Sequence, residues 1–309
     1  MARTSEKFDA AQAITDEIIG LLEKGTVPWR RPWKIAGGGV PLRHNGEGYR
    51  GINAFLLGLR SAMAGYSSPY WMTFNQAKAL DACVKKGSKS SVVVYYGTAG
   101  KKGEGANEET GGGESDEGGG TYRFLKNYRV FNASQIEGLD DSYYPKPEGD
   151  PAARPEPIPE AQAFYEAIDI GVTFGGDQAC YIPSRDHILL PELARFESAS
   201  QFYSTWHHEQ THATKLAHRL DRSFGASSFG NEAYAKEELV ACVSQVLMGQ
   251  RMGFHADHID NHAAYIEAWI KVLRGDKRFL FTAAAHAQRA VDWLTEASAK
   301  GTAARAIAA

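Results

Sequence analysis

Three histidines and a glutamate lie within six residues in the segment HHEQTH, residues 207–212. Its last five residues match the HExxH pattern, with His208 and His212 at positions i and i+4. On a helix these positions share one face, so both imidazoles can reach one cation at ~2 Å. Glu209 lies beside them and can take a proton from a water that the cation acidifies. The segment therefore predicts a metal-dependent hydrolase site with Glu209 as the general base.

An acidic stretch downstream, GNEAYAKEELVACVSQVLMG, can supply the third ligand. Glu238 is the preferred candidate because it begins an apolar run that resembles the third-ligand helix of the ImmA/IrrE-type peptidases. Glu237 is an alternative, and so is Glu232, whose Asn-Glu pair resembles the thermolysin-like pattern. Two histidines and a carboxylate suit Zn²⁺, the expected ion, and they also accept Mn²⁺ or Co²⁺. The stretch CYIPSRDHILLP before the motif predicts an exposed edge strand, to which a substrate peptide could add.

The first third of the chain carries a strong excess of positive charge. Residues 24–103 contain thirteen lysines and arginines against two acidic residues, although the whole chain has a formal net charge of −3. Cations interleaved with aromatic residues are typical of proteins that bind single strands, since bases stack on rings while cations follow the phosphates. The candidate DNA-binding residues are Trp29, Arg30, Arg31, Trp33, Tyr49, Arg50, Asn53, Trp71, Lys85, Lys86, Lys89, Arg123 and Lys126.

The order of elements indicates an α+β fold with two domains. Residues 1–142 predict an α+β domain, interrupted at 103–120 by an acidic, glycine-rich loop that is expected to be disordered between two strands. Six prolines between 143 and 160 predict an extended linker over 143–159. Residues 160–309 predict a mostly helical domain with a small sheet. Its helices are expected near 160–168, 199–219, 231–251, 258–274 and 279–298.

Longer motifs resemble one family over most of the chain. The strings VPWRRPW, YRGIN, MTFNQA and VFNASQI are similar to the N-terminal domain of the ArdC plasmid antirestriction proteins. The strings HHEQTHATKLAHRL and EAYAKEELVA are similar to that family's zincin-like peptidase domain. The resemblance implies a domain that binds single-stranded DNA joined to a metallopeptidase domain, and a role in protecting incoming plasmid DNA during conjugation. It also implies that His208, His212 and an acidic residue bind metal.

Two functional hypotheses remain open from the sequence. One is a metallopeptidase that acts on a host protein, and the other is a non-catalytic protein that coats single strands and keeps a structural or vestigial metal site. No apolar run reaches the ~18 residues that a membrane span requires, and the first residues lack a secretory pattern. A cytoplasmic location without a membrane partner is therefore expected.

Overall fold

The structure is a computed structural model that describes residues 9–24, 40–100, 121–144, 157–176, 178–226, 231–254 and 262–308. The first half combines helices with strands of very different lengths. Its elements are α1 (Ala10–Glu23), β1 (Leu42–Arg43), α2 (Gly51–Ala64), β2 (Tyr70–Thr73), α3 (Phe74–Ala79), β3 (Cys83–Val84), β4 (Ser91–Gly100), β5 (Thr121–Asn132) and β6 (Ile136–Glu137).

The second half is mostly helical, as its sequence predicts. Its elements are α4 (Pro159–Glu166), β7 (Gly171–Phe174), β8 (Cys180–Ile182), β9 (His187–Leu190), α5 (Ala199–Ala213), α6 (Glu232–Met252), α7 (His262–Gly275) and α8 (Phe279–Ala308). Small sheets beside these helices confirm the α+β class. None of the described helices is long and apolar enough to cross a membrane.

A four-stranded sheet in the order β1-β2-β5-β4 forms the centre of the first half. β4 and β5 pair antiparallel in continuous register from Ser91 opposite Val130 to Gly100 opposite Thr121. The acidic segment 103–120 therefore connects two paired strands, as predicted, although its own residues lie outside the described ranges. Leu57 of α2 packs against Trp71 of β2 and closes one face of the sheet.

The helices of the second half pack around α6. Every residue of α6 from Glu237 to Gln250 is buried, because α5, α7 and α8 surround it. A helix covered on all sides can hold a buried carboxylate only where polar partners face it. Beside α5 lies a small sheet in the order β7-β9-β8, which leaves β8 at an edge.

The two halves share contacts and one large hydrophobic cluster. That cluster joins α1 and α2 to the helices of the second half. The Thr15 hydroxyl on α1 donates to the Lys277 carbonyl at 2.8 Å, and the Gln250 amide on α6 donates to the Ala54 carbonyl at 3.1 Å. The predicted linker 143–159 falls mostly outside the described residues, at 145–156. The division into domains at this linker remains a prediction.

Most predicted helices are confirmed, but two boundaries are wrong. α5 ends at Ala213 instead of 219, because the chain folds back and Leu220 and Arg222 donate their backbone N–H groups to Thr214 and Lys215. α8 continues to Ala308 instead of 298. Its last turns are rich in alanine, which has the highest helix propensity, so nothing in the local sequence stops the helix at 298.

Candidate metal centre and nucleic-acid surface

Helix α5 places His208 and His212 side by side. The helix is N-capped by Ser198, whose side chain accepts from the Gln201 N–H, and its apolar face, including Trp206, is buried in the core. One helical turn separates the two histidines, so their ring centroids lie 4.7 Å apart. Their Nε2 atoms are 3.0 Å apart and point into the same space.

Glu238 on α6 completes a group of three possible ligands. Its carboxylate oxygens lie 3.3 Å from the Nε2 atom of His208 and 3.3 Å from the Nε2 atom of His212. Among the described residues, these three form a group whose ligand atoms all lie within 4.8 Å of one another. Two imidazole nitrogens and a carboxylate are the donor set of many zinc hydrolases. The residues therefore fit a divalent cation.

The far nitrogen of each histidine faces a hydrogen-bond acceptor. Gln245 Oε1 lies 3.1 Å from His208 Nδ1, and the same amide donates to the Ser204 carbonyl, which fixes its orientation. Glu237 Oε1 lies 3.2 Å from His212 Nδ1. An acceptor at Nδ1 places the ring proton there and leaves the Nε2 lone pair free for a metal ion.

Arg222 holds Glu237 in place. Its guanidinium donates from Nε at 2.8 Å and from Nη2 at 2.7 Å to the two carboxylate oxygens, and it also donates to Thr214 and to the Thr211 carbonyl. Burial would raise the pKa of Glu237, but the bonds from Arg222 and His212 outweigh it and lower the pKa. Glu237 is therefore an anion that orients His212 from outside the group.

The centre favours positive charge. Burial would lower the pKa of His212, but the carboxylates of Glu238 and Glu237 outweigh it and raise the pKa to about 10. Burial also opposes ionisation of Glu238, yet its contacts with the two histidines hold its pKa well below the usual range. A cation between these groups would take over the stabilisation that a proton on His212 provides.

Glu209 lies beside the ligand group and faces the sheet. Its Oε2 atom accepts a hydrogen bond of 2.7 Å from the backbone N–H of Tyr181 on β8. The predicted edge strand is a hairpin, in which β8 forms the edge and β9 lies inside the sheet. The structure thus places the candidate base against an open strand edge.

The other candidate glutamate, Glu232, lies outside the ligand group. It is the first residue of α6, and its exposed side chain forms an ion pair of 2.6 Å with Lys236. His207, the first residue of the motif, is fully buried, with Nε2 2.8 Å from the Ser244 hydroxyl. Burial lowers the pKa of His207 to about 3, so this histidine is neutral.

Two residues of the centre were not predicted from the sequence. Gln245 follows Glu238 by seven residues, which is two helical turns, so the helical period could have indicated that both share a face. Arg222 lies in an irregular segment after α5. Its role depends on a contact across fifteen residues with Glu237, for which the local pattern carries no signal.

The predicted DNA-binding lysines are exposed on the first half. Lys85, Lys86 and Lys89 lie between β3 and β4, and Lys126 lies on β5. The Lys85 ammonium group donates to the Ser134 carbonyl at 3.0 Å. Five further candidates lie outside the described residues or have undescribed side chains. They are Trp29, Arg30, Arg31, Trp33 and Arg123.

The remaining candidates have structural contacts. Trp71 is 1% exposed and packs in the core, so its ring faces are covered. The Asn53 amide donates to the Val94 carbonyl at 2.7 Å and accepts from the Val94 N–H at 2.9 Å, and it thereby caps the open edge of β4. Tyr49 is half-buried beneath the Arg43 guanidinium. Arg50 is exposed and pairs with Asp292 of α8.

Two family models match the chain, one over each half. Residues 8–131 match the N-terminal domain of anti-restriction factor ArdC, and residues 159–286 match a zincin-like metallopeptidase domain. The zincin-like domain implies a divalent metal ion, in agreement with the group formed by His208, His212 and Glu238.

Solved structures and curated proteins agree with these matches. The crystal structure of the antirestriction ArdC protein from plasmid R388 in its metal-free form is 40% identical, with a TM-score of 0.74, over 95% of this chain and 99% of that chain. Its Mn(II)-bound form is 38% identical with the same TM-score, over 94% and 99% of the two chains.

Among curated proteins, the uncharacterized protein y4eC of Sinorhizobium fredii is 34% identical over 93% of this chain and 91% of its own length. The DNA primase TraC of Escherichia coli is 34% identical over 95% of this chain, but the match spans 27% of that protein. With both halves matched in order and a relative covered almost completely, the chain belongs to the ArdC antirestriction family.

Proposed function

We propose that this protein binds single-stranded DNA through its first half and hydrolyses a peptide bond of a host protein at the metal centre of its second half. Both activities would protect plasmid DNA that enters a recipient cell during conjugation, in the cytoplasm where restriction enzymes act. The observation that carries the peptidase proposal is the convergence of His208, His212 and Glu238, with Glu209 beside them.

The proposed ligands are the Nε2 atoms of the two histidines and the Glu238 carboxylate. Zn²⁺ is the proposed ion because a buried set of two imidazoles and one carboxylate suits it, whereas the relative from plasmid R388 was crystallised with Mn(II). Co²⁺ would fit the same donors. When bound, a divalent cation would polarise the scissile carbonyl and acidify a water molecule.

The chain's own groups would position the peptide and move the proton. An extended peptide would pair with the open edge of β8, where main-chain hydrogen bonds give affinity without a strict sequence requirement. Glu209 would take the proton of the attacking water and return it to the leaving amine. Because Glu209 accepts from the Tyr181 N–H, its carboxylate is already directed towards the strand that would hold the peptide.

A substitution of Glu209 by glutamine tests the peptidase proposal. Glu209→Gln keeps the size of the side chain and leaves the three ligands in place, so metal content should match that of the wild type. Transfer of a conjugative plasmid into a restricting recipient should then lose its protection. Full protection by Glu209→Gln would favour the alternative, a protein that coats single strands and keeps a structural metal site.

Exposed lysines between β3 and β4 support the DNA-binding proposal. Lys86 and Lys89 are exposed, as phosphate contacts must be. Lys86→Ala/Lys89→Ala should weaken binding of a labelled oligothymidylate in fluorescence anisotropy and lower the salt slope by about 1.4. Lys300→Ala, on the exposed end of α8, is the matched control and should bind as the wild type does. Equal affinity for single and double strands would contradict the proposed preference.

A further inference from the structure

Arg50, a candidate DNA contact in the first half, is paired with an acid of the second half. Its Nη2 atom lies 2.6 Å from Oδ2 of Asp292 on α8. The side chains of Arg50 and Asp292 are 65% and 43% exposed, so a phosphate could approach the guanidinium from solvent. The pair joins two residues that are 242 positions apart in the sequence.

Neighbouring groups hold the Asp292 carboxylate towards Arg50. The Gln288 amide, one turn earlier on α8, donates to Asp292 Oδ1 at 3.0 Å. The same amide accepts from the N–H of Gly51, the first residue of α2, at 3.0 Å. Asp292 therefore does not depend on Arg50 for its orientation, and it presents a fixed negative charge at the start of α2.

The segment before α2 has the residue types that single strands contact. Arg43 lies over the ring of Tyr49 at 5.6 Å, and Arg50 follows directly. Arg43 forms a second exposed ion pair, at 3.2 Å, with Glu47. In this structure each of the two arginines thus faces a carboxylate of the protein, and a phosphate would have to replace that carboxylate.

We infer that Asp292 is a determinant of DNA affinity, because it competes with the phosphates of a single strand for Arg50. This inference rests on the proposed DNA binding by the first half. An exposed ion pair is weak enough for a polyanion to displace. The second half would in this way limit how tightly the first half binds DNA.

Asp292→Asn tests the inference in the full-length protein. The amide keeps the volume of Asp292 and an acceptor for Gln288 but removes the charge that holds Arg50. The probe is a fluorescent oligothymidylate, and its anisotropy is measured at several salt concentrations. Affinity should rise about two- to five-fold. The dependence of affinity on salt should steepen by at most about 0.7, the value for one more phosphate contact.

Two matched variants separate this effect from a general change in charge. Glu296→Gln removes the same charge one turn later on α8, where Glu296 is 72% exposed and 4.0 Å from Lys300, and it should raise affinity less than Asp292→Asn. In an Arg50→Ala background, Asp292→Asn should have no further effect. If the wild type binds the probe and Asp292→Asn and Glu296→Gln raise its affinity equally, the inference is wrong while the proposed DNA binding stands. A wild-type protein that does not bind at low salt would overturn the proposed DNA binding, and the inference with it.

Discussion

Removal of Arg222 should both destabilise the protein and weaken its metal binding. The Arg222 side chain is 1% exposed and forms two hydrogen bonds with Glu237, whose side chain is 8% exposed. Arg222→Met keeps much of the volume but removes both guanidinium bonds from the buried Glu237 carboxylate, which then retains only His212 as a charged partner. Breaking a buried pair in this way costs about 3–5 kcal/mol. Loss of support for the partner of His212 should also lower metal affinity by about 10–100-fold.

A second variant separates the two effects. In Arg222→Met/Glu237→Leu the ion pair is replaced by apolar side chains, which can be nearly neutral for stability. The double variant should therefore regain at least about 2 kcal/mol over the single variant. Its metal affinity should stay low, because Glu237→Leu removes the acceptor at His212 Nδ1.

Urea denaturation of the metal-free protein and isothermal titration with Mn²⁺ measure the two quantities. Glu232→Gln is the control on the same helix, because its exposed pair with Lys236 should contribute less than about 1 kcal/mol. A loss below about 1 kcal/mol for Arg222→Met would contradict the prediction, since breaking a buried ion pair by removing one partner is expected to cost about 3–5 kcal/mol. So would a double variant that binds metal as the wild type does.

Four further substitutions test the scaffold. Asn53→Ala should cost about 1–3 kcal/mol in urea denaturation, because it leaves an N–H and a carbonyl of the β4 edge without their amide partner. Gly20→Ala should stabilise α1 by up to about 1 kcal/mol, since a Cβ there meets nothing within 4 Å. Gly301→Ala should destabilise the protein, because its Cβ would lie 1.8 Å from the Ala167 carbonyl oxygen. Equal changes in melting temperature for the two glycine variants would contradict both predictions. Burial and the nearby Arg289 lower the pKa of His286 from 6.5 to about 4, so its contribution to stability is present above pH 6.5 and is lost as the pH falls towards 4. His286→Gln should flatten the pH dependence of the unfolding free energy in that window, and an unchanged profile would exclude this assignment.

Local patterns were enough to predict the part of the centre that lies on one helix. His208 and His212 share a face because the helical period of 3.6 residues is a property of the backbone itself. The sequence spacing alone does not distinguish Glu238 from Glu237 and Glu232. The preference for Glu238 depends on the resemblance of its apolar run to known third-ligand helices. The packing of α6 against α5 is what directs Glu238 towards the histidines and Glu237 to the far side of His212.

Contacts that are distant in sequence explain what could not be predicted. Trp71 stands among aromatic residues near cations, yet packing against Leu57 of α2 places it in the core. Asn53 is a residue type that often contacts DNA, but its amide hydrogen-bonds the backbone of Val94, as a neighbouring strand would at the edge of β4. The short strand β7 ends at a Gly175-Gly176 turn, but its four residues carry no signal for its parallel pairing with β9. In each case a contact with a residue distant in sequence determines the structural role, which the local sequence does not indicate.

We propose that His208, His212 and Glu238 bind one divalent cation. The most direct measurement is the metal content and Zn²⁺ affinity of the wild type beside Glu238→Ala and Glu232→Ala. We expect about one equivalent of metal in the wild type and in Glu232→Ala, and a strong loss of affinity in Glu238→Ala. The proposed metal site is wrong if Glu238→Ala binds Zn²⁺ as the wild type does, or if the wild type binds no Zn²⁺ at neutral pH.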